Sequence, residues 1–276
     1  MIARRTGRWL FTAILILVMV IPLYLLITNA FKSQHDILTA PFTWPADGFS
    51  FEYLWRAITS TDFNVVGAYG ITLLFVVIVN LLNLAIVGPA AYAIARGARK
   101  YHRVVLLLLL TGLFIPGSTI VIPVIYVLKT VGLIGTIPGF FLFETTLTIP
   151  TTMFLFVAFI QSIPRELDEA AKIDGATRFG TFWRVIFPLM RPVVATTVIL
   201  NSVGVWGDFV SPQFLLGPSS GVYTVTTGIY AAISRLSTDY TLVYPNMLLA
   251  AAPAVIFYVF LQKRIIGGLT TGAVKG

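Results

Sequence analysis

Long runs of apolar residues, separated by short polar connections, make up most of this sequence. A helix rises roughly 1.5 Å per residue, so about 20 apolar residues cross the roughly 30 Å of hydrocarbon in a bilayer. Six runs reach that length: residues 9–31, 70–95, 104–128, 138–161, 192–215 and 244–266. The pattern predicts an all-α integral membrane protein with six transmembrane helices, in which residues 1–276 form a single domain. The first run is too long for the core of a cleaved signal peptide, so we expect it to remain as the first helix.

Composition supports the membrane class. The chain is 57% hydrophobic and only 11% charged, whereas about a quarter of the residues in a globular protein are charged. The net charge of +8 does not indicate nucleic acid, because the basic residues are thinly spread between apolar runs. With no cysteine, the chain has neither disulfides nor thiolate chemistry.

Basic residues also predict the orientation of the chain. The N-terminus, the second and fourth connections and the C-terminus carry 15 of the 19 lysines and arginines. Cytoplasmic connections hold such an excess of positive charge. Both termini are therefore expected in the cytoplasm of a multi-pass protein.

We expect proline and glycine to interrupt four of the predicted spans, at Gly88-Pro89, Pro116-Gly117, Pro123, Pro150 and Pro212. A proline frees a backbone carbonyl, which membrane proteins tolerate where protein or a water-filled cavity satisfies it. These positions indicate either ordinary kinks or a pathway lined by irregular helices. The pattern alone does not decide between them.

The fourth connection, residues 162–191, has a pattern of its own. Pro164 and the acidic residues after it favour the first turn of a helix, and Gly175 favours its end. Aromatic and aliphatic residues then recur at helical spacing over 179–187, which predicts a second, amphipathic helix along the membrane surface. A short acidic helix between two spans either docks on another protein or is a solvated connector.

The 162–191 loop contains Glu169-Ala170-Ala171, then three residues, Gly175, nine further residues and 185–188 (Val-Ile-Phe-Pro). This run looks like the EAA loop of ABC importer permeases, and in particular of the carbohydrate-specific, MalG-like subunits. The tail 262–276 is similar to the terminus of these subunits, and Phe31-Lys32-Ser33 and Trp206-Gly207-Asp208-Phe209 also fit. The resemblance covers nearly the whole chain, although the loop pattern has Ile and Leu where this chain has Val185 and Phe187.

The resemblance implies a division of labour in a bacterial or archaeal inner membrane. This chain would form half of a translocation pathway with a second permease subunit, in a pair we expect to be heteromeric. A dimeric cytoplasmic ATPase would carry ATP and Mg, and an extracytoplasmic binding protein would deliver a carbohydrate. The chain itself has no Gly-Lys dipeptide and hence no phosphate-binding P-loop. We therefore expect it to bind no cofactor and not to be an enzyme.

The resemblance also assigns candidate coupling residues. The helix in the 162–191 connection would be the coupling helix, seated in a groove of the ATPase. Its assigned residues are Glu169, Ala170, Ala171, Asp174, Gly175 and Pro188. Glu169 is either the carboxylate that meets this groove or an exposed charge near a helix N-terminus.

Polar residues inside the predicted spans are candidates for the substrate pathway. Asp208 and Glu144 are the ionisable residues deepest in those spans, where such residues are often functional. Asp208 beside Trp206 is a plausible sugar-binding pair, but Asp208 could equally bond to backbone near Pro212. Asn80 and Asn83 are interpreted as interhelical hydrogen-bonding residues before ligands. His35 and His102 are far apart in the sequence, so we expect no metal site.

Two other classes compete with an importer subunit. A secondary transporter driven by an ion gradient would act without an ATPase, but it gives the 162–191 loop no purpose. A membrane enzyme would need paired carboxylates or clustered histidines near one surface, and the sequence contains neither. Which sugar is carried, and whether this subunit touches it, cannot be read from the sequence.

Overall fold

The three-dimensional structure is a computed structural model. It describes residues 2–46, 48–60, 64–217, 220–235 and 239–273. Residues 274–276 of the tail, with Lys275, therefore lie outside the described residues. Within the described ranges the regular structure is helical and contains no strand, which confirms the predicted all-α class.

The helices are short at the connections and long in the apolar runs. In chain order they are α1 (Ile2–Asn29), α2 (Gln34–Thr39), α3 (Glu52–Thr59), α4 (Val65–Arg96), α5 (Lys100–Thr111), a 3₁₀ turn (Gly112–Phe114), α6 (Gly117–Thr130), α7 (Ile137–Ser162), α8 (Glu166–Ile173), α9 (Arg178–Thr181), a π turn (Phe182–Ile186), α10 (Phe187–Leu189), α11 (Arg191–Gly207), α12 (Val210–Leu215), α13 (Val225–Arg235) and α14 (Tyr240–Ala273).

Four stretches of these helices are long and apolar enough to cross a membrane unaided: Phe11–Asn29, Val65–Arg96, Ile137–Ser162 and Tyr240–Phe257. Two further spans arise if each of two bent helix pairs crosses as a unit. The pair Lys100–Phe114 and Gly117–Thr130 bends by 108°, and the pair Arg178–Leu189 and Arg191–Gly207 bends by 80°. The described chain thus has four to six apolar spans.

Two of the predicted spans are each divided between two helices, one next to the expected interruption at Pro116-Gly117 and the other four residues before Pro212. The run 104–128 is divided between α5 and α6 at Ile115 and Pro116, because a residue before proline is disfavoured in the helical conformation. The run 192–215 is divided between α11 and α12 at Asp208 and Phe209. Pro212, which has no N–H to give to the carbonyl of Asp208, lies inside the second piece.

Three other prolines do not break their helices, contrary to expectation. Pro89 lies inside α4, Pro123 inside α6 and Pro150 inside α7, and each helix continues past its proline. Each proline removes one backbone hydrogen bond from its helix, but the helix continues on both sides of it. The expectation of a break at Gly88-Pro89 is therefore wrong.

The chain divides into two compact units. The first comprises residues 1–69 and 225–255, and the second comprises residues 70–224 and 256–276. The prediction of a single domain over 1–276 remains a prediction.

In the first unit, a polar side chain holds the segment that follows α1. Lys32 is only 2% exposed, and its Nζ donates hydrogen bonds to the carbonyls of Ala40 at 2.9 Å and Pro41 at 3.3 Å. Asn29 Nδ2 donates to the same Pro41 carbonyl. Burial lowers the pKa of the Lys32 ammonium, and nearby Asp36 partly opposes that shift.

In the second unit, α7 packs against α5, α6, α11 and α12. The main apolar core joins the ends of α4, α7 and α11 to the loop segment between α7 and α11. Its fully buried side chains include Phe156, Ile160, Phe182, Ile186 and Met190. This core positions the 162–191 loop.

Candidate coupling loop and polar spans

The α8 helix begins and ends as its sequence predicts. Three acidic side chains, Glu166, Asp168 and Glu169, occupy its first turn, and Lys172 is in its last; both placements complement the helix dipole. Gly175 has φ +78°, and Ala176 N–H donates to the Ala171 carbonyl at 2.9 Å. This is the hydrogen-bonding pattern of a glycine-terminated helix.

Conformation, not space, explains the glycine at position 175. A Cβ atom added there would meet nothing within 4 Å. The left-handed backbone alone disfavours other residues, apart from Asn and Asp.

The two faces of α8 have different environments. Ala171 is buried and Asp168 is half-buried against the rest of the unit. Glu169 and Ala170 are exposed, and Ile173 is 86% exposed. The carboxylates of adjacent residues 168 and 169 therefore point to opposite environments, and Asp174 is also exposed at the C-cap.

The segment after α8 is helical, as the spacing over 179–187 predicts, but it contains a π turn. Thr177 caps it by accepting a hydrogen bond from Gly180 N–H at 3.1 Å. Phe182 and Ile186 are buried, whereas Phe179 is 66% exposed. Pro188 is the second residue of α10, which follows the π turn directly.

Polar side chains at the end of α4 hold Asp168. The Tyr92 hydroxyl donates to Asp168 Oδ1 at 2.5 Å, and Arg96 Nη2 lies 2.8 Å from Asp168 Oδ2. Arg96 Nη2 also donates to the carbonyl of Ile163, at the end of α7, at 3.0 Å. Arg96, one of the basic residues of the second connection, is therefore ion-paired within the protein.

A cavity of about 960 Å³ opens beside this contact. It lies between the α4–α5 connection and the loop segment α8–α9. Five basic and two acidic side chains line it: Arg96, Arg99, Arg165, Lys172, Arg178, Asp168 and Glu169. The lining of this cavity therefore carries a net positive charge.

Asn80 and Asn83 hydrogen-bond between helices, as the sequence interpretation favoured. Asn80 Nδ2 donates to Ser202 Oγ of α11 at 3.1 Å, and Asn83 Nδ2 donates to Thr148 Oγ1 of α7 at 2.7 Å. Both asparagines are buried. These bonds tie α4 to its neighbours.

Asp208 caps a helix in the structure. Its Oδ1 accepts hydrogen bonds from the N–H groups of Val210 at 2.9 Å and Ser211 at 3.3 Å, at the start of α12. This is the backbone role that the sequence left open beside a sugar contact. Trp206 is buried, and Glu144 is buried near Asp208 and Ser211. The structure thus brings Glu144 and Asp208 together, which their separation in the sequence did not indicate.

Sequence reasoning missed Tyr92, Arg96, Asp168 and Ile173. A signal for the first two was present, because Tyr92 and Arg96 are four residues apart at the end of a helix and so share a face. Over the described ranges no group of three or more His, Asp or Glu side chains is placed to hold a metal ion.

Residues 86–266 match a protein family described as the inner membrane component of binding-protein-dependent transport systems. The permease protein MsmG of the multiple sugar-binding transport system of Streptococcus mutans is 32% identical, over 94% of this chain and 93% of its own. The melibiose/raffinose/stachyose import permease MelC of Bacillus subtilis is 33% identical, over 93% and 91%. The diacetylchitobiose uptake permease NgcG of Streptomyces coelicolor is 30% identical, over 94% and 85%.

The fold is similar to that of a solved importer. A chain of a bacterial ABC transporter that imports the acidic polysaccharide alginate superposes with a TM-score of 0.78, at 20% identity, over 93% of this chain and 94% of that one. A second structure, in which the alginate transporter is in complex with a periplasmic protein bound to an alginate pentasaccharide, gives a TM-score of 0.64 at 19% identity, over 94% and 96%.

Proposed function

Because the chain belongs to the family of binding-protein-dependent transport inner membrane components, and is thus a transport component rather than an enzyme, we propose that it forms half of the pathway of an ATP-driven carbohydrate importer. A second permease subunit, different from this one, supplies the other half. A dimeric cytoplasmic ATPase holds ATP and Mg, and an extracytoplasmic binding protein delivers the sugar. Membership of this family favours that function over a secondary transporter that acts without an ATPase.

The proposed topology has six spans with both termini in the cytoplasm. The two bent helix pairs each cross once, and the 162–191 loop lies on the cytoplasmic side, where most basic residues collect. The chain has no cysteine, so single cysteines report position cleanly. Lys129→Cys should react with a membrane-impermeant maleimide on intact spheroplasts, and Lys100→Cys should react only after lysis. Labelling of Lys100→Cys on intact spheroplasts would overturn this topology.

The exposed face of α8 is the observation on which the coupling role rests. Ala170 and Ile173 follow Glu169 by one and four residues, so the three lie on one side of α8. Phe179 is exposed just beyond the turn that ends this helix. A largely exposed Ile and Phe beside a carboxylate resemble the apolar core and polar rim of a protein interface. This docking face, comprising Glu169, Ala170, Ile173 and Phe179, binds the ATPase.

The motion can then be stated physically. Closure of the ATPase dimer displaces the docked α8, and the attached spans swing between inward-open and outward-open states around a site near the middle of the membrane. By linkage, a loaded binding protein outside favours the closed ATPase dimer inside, to the same extent that closure favours binding-protein engagement.

An oligosaccharide is the proposed cargo class. The relatives MsmG, MelC and NgcG are named for multiple sugars, for melibiose, raffinose and stachyose, and for diacetylchitobiose. The polar span residues of this chain, Asn80, Asn83, Asp208 and Glu144, are engaged within the protein in this structure. The proposal is therefore that specificity comes mainly from the binding protein and the second permease subunit.

Purification of the tagged chain from its native membrane in mild detergent tests this function. Mass spectrometry should find an ATPase, a second permease and, after crosslinking, a solute-binding protein. Titration of that binding protein with raffinose, melibiose, diacetylchitobiose and maltose, followed by tryptophan fluorescence, identifies the sugar. If the chain purifies alone and moves solute into liposomes without ATP, the importer function is wrong and a secondary transporter replaces it.

A further inference from the structure

One face of α4 follows the coupling loop over three successive turns. Gly88, Tyr92 and Arg96 are four residues apart and so line the same side of the helix. Each of the three approaches a residue of the loop region or its boundary. We call these three residues the α4 stripe.

The first two positions of the stripe meet the aromatic ring of Phe182. A Cβ atom on Gly88 would lie 3.0 Å from Cζ of that ring, so glycine allows the ring to approach the helix backbone. One turn later the Tyr92 ring lies 5.6 Å from the Phe182 ring, centroid to centroid. Phe182 is buried, which fixes the π turn against α4.

The polar end of the stripe holds α8 itself. Asp168 Oδ1 accepts a hydrogen bond from the Tyr92 hydroxyl, and Asp168 Oδ2 is ion-paired with the Arg96 guanidinium. The same guanidinium nitrogen bonds to the Ile163 carbonyl, three residues before α8 begins. Tyr92 and Arg96 of α4 thus contact α8, and Arg96 also contacts the end of α7, the helix that leads into it.

Burial distinguishes this contact from an ordinary surface ion pair. The side chains of Arg96 and Asp168 are 14% and 18% exposed, whereas the Arg56–Asp239 pair in the first unit is 55% and 27% exposed. Arg96 Nε is buried without a hydrogen-bond partner. Removal of one member of such a shielded pair leaves the other charge poorly solvated, so the contact is costly to break.

We propose that Tyr92 and Arg96 are positioning residues, which fasten the coupling helix to α4 through Asp168 so that displacement of α8 moves the second span. This inference rests on the function proposed above. It gives adjacent carboxylates different tasks, since Glu169 faces the ATPase and Asp168 faces the permease. Without the contacts of Asp168, α8 would remain covalently connected to α7 and α9 but would lose its polar contacts with α4.

Pulsed electron paramagnetic resonance can measure this fastening directly. Nitroxides are attached to Ile86→Cys on α4 and Lys172→Cys on α8, both exposed positions in a chain without native cysteine. The label distance is recorded in the purified importer complex, with and without AMP-PNP and Mg. Asp168→Asn is the test variant, and Glu166→Gln is the control, since Glu166 is an exposed carboxylate two residues away on the same helix.

In the unmodified and Glu166→Gln chains we expect one narrow distance that AMP-PNP leaves unchanged, because α8 and α4 move together. In Asp168→Asn we expect a broadened distribution that shifts with AMP-PNP, while the ATPase co-purifies at the unmodified level. Tyr92→Phe keeps the ring contact and removes one hydroxyl, so it should broaden the distribution less.

A narrow, nucleotide-independent distance in Asp168→Asn would overturn the proposal. Loss of the ATPase from that variant would also overturn it, because Asp168 would then belong to the docking face. If Asp168→Asn fails to fold, Tyr92→Phe carries the same test. If no ATPase accompanies even the unmodified chain, the proposed function fails instead. The fastening of α8 to α4 is then tested on the isolated chain, where Asp168→Asn must broaden the distribution of label distances relative to Glu166→Gln.

Discussion

Gly88 and Phe182 are in close contact, although 94 residues separate them in the chain: a Cβ atom at position 88 would lie 3.0 Å from Cζ of the Phe182 ring. That ring is buried in the main core of the second unit, so it has little freedom to withdraw. The glycine beside Pro89 therefore permits close packing between α4 and the coupling loop and does not interrupt the helix.

The contact makes a stability prediction for Gly88→Ala. Alanine favours a helix over glycine by up to about 1 kcal/mol, but here the methyl group meets a buried ring, and overpacking costs about 1–3 kcal/mol. Gly204→Ala is the matched control, because a Cβ atom on this α11 glycine meets nothing within 4 Å. Thermal unfolding in detergent should show Gly88→Ala less stable than Gly204→Ala. Equal or reversed stability would mean that the ring yields easily.

Ile173 should matter for assembly and not for folding. Its side chain is 86% exposed, so Ile173→Asp should leave the melting temperature of the isolated chain unchanged. Burial of an aliphatic side chain in an interface contributes about 1.5–3 kcal/mol, so the variant should weaken ATPase binding about tenfold or more. Quantitative pull-down measures this binding, with Ile173→Leu as the apolar control. Unimpaired binding of Ile173→Asp would place the docking face elsewhere.

The turn at Gly175 should respond to backbone preference and not to side-chain size. The position has φ +78° and open space around it. Valine there costs roughly 1–2 kcal/mol of backbone strain or more, whereas Asn tolerates the left-handed region. We expect sugar uptake to fall in Gly175→Val and to survive in Gly175→Asn at equal expression. Equal loss in both variants would indicate that the bare backbone at this position is itself in contact with the ATPase.

Lys32 should stabilise the first unit through its two carbonyl acceptors. Lys32→Met keeps the length of the side chain but removes its hydrogen bonds to the Ala40 and Pro41 carbonyls, each of which contributes about 0.5–1.5 kcal/mol net. Chemical unfolding monitored by tryptophan fluorescence gives the difference, with Lys129→Met, at an exposed lysine, as control.

The lowered pKa of Lys32 adds a pH dependence. Between that lowered pKa and the pKa of an exposed lysine, the unfolded chain binds more protons than the folded one, so the free energy of unfolding should rise with pH across this interval. Lys32→Met should remove that rise. A rise of the same size in the variant would assign the effect to other groups.

The coupling loop shows how far local sequence reasoning reaches. Pro164, the acidic first turn and Gly175 predict a helix and its end, and α8 has both, because capping and dipole effects act within a few residues. The different roles of Asp168 and Glu169 were not predictable in this way. The two are adjacent carboxylates, and only the packing of α8 against α4 turns Asp168 toward Arg96.

The sequence alone determined the helical class, the approximate apolar runs, the α8 helix and the resemblance of the loop to a transport family. These features depend on apolar run length, on capping residues and on a local motif. Tertiary structure decided where the runs bend, that α4 continues past Pro89, and that Asp208 caps α12. It also decided that Tyr92 and Arg96 hold Asp168. The contacts of Tyr92 and Arg96 with Asp168 join segments 76 and 72 positions apart in the chain, and packing between distant segments leaves no periodic trace in either one.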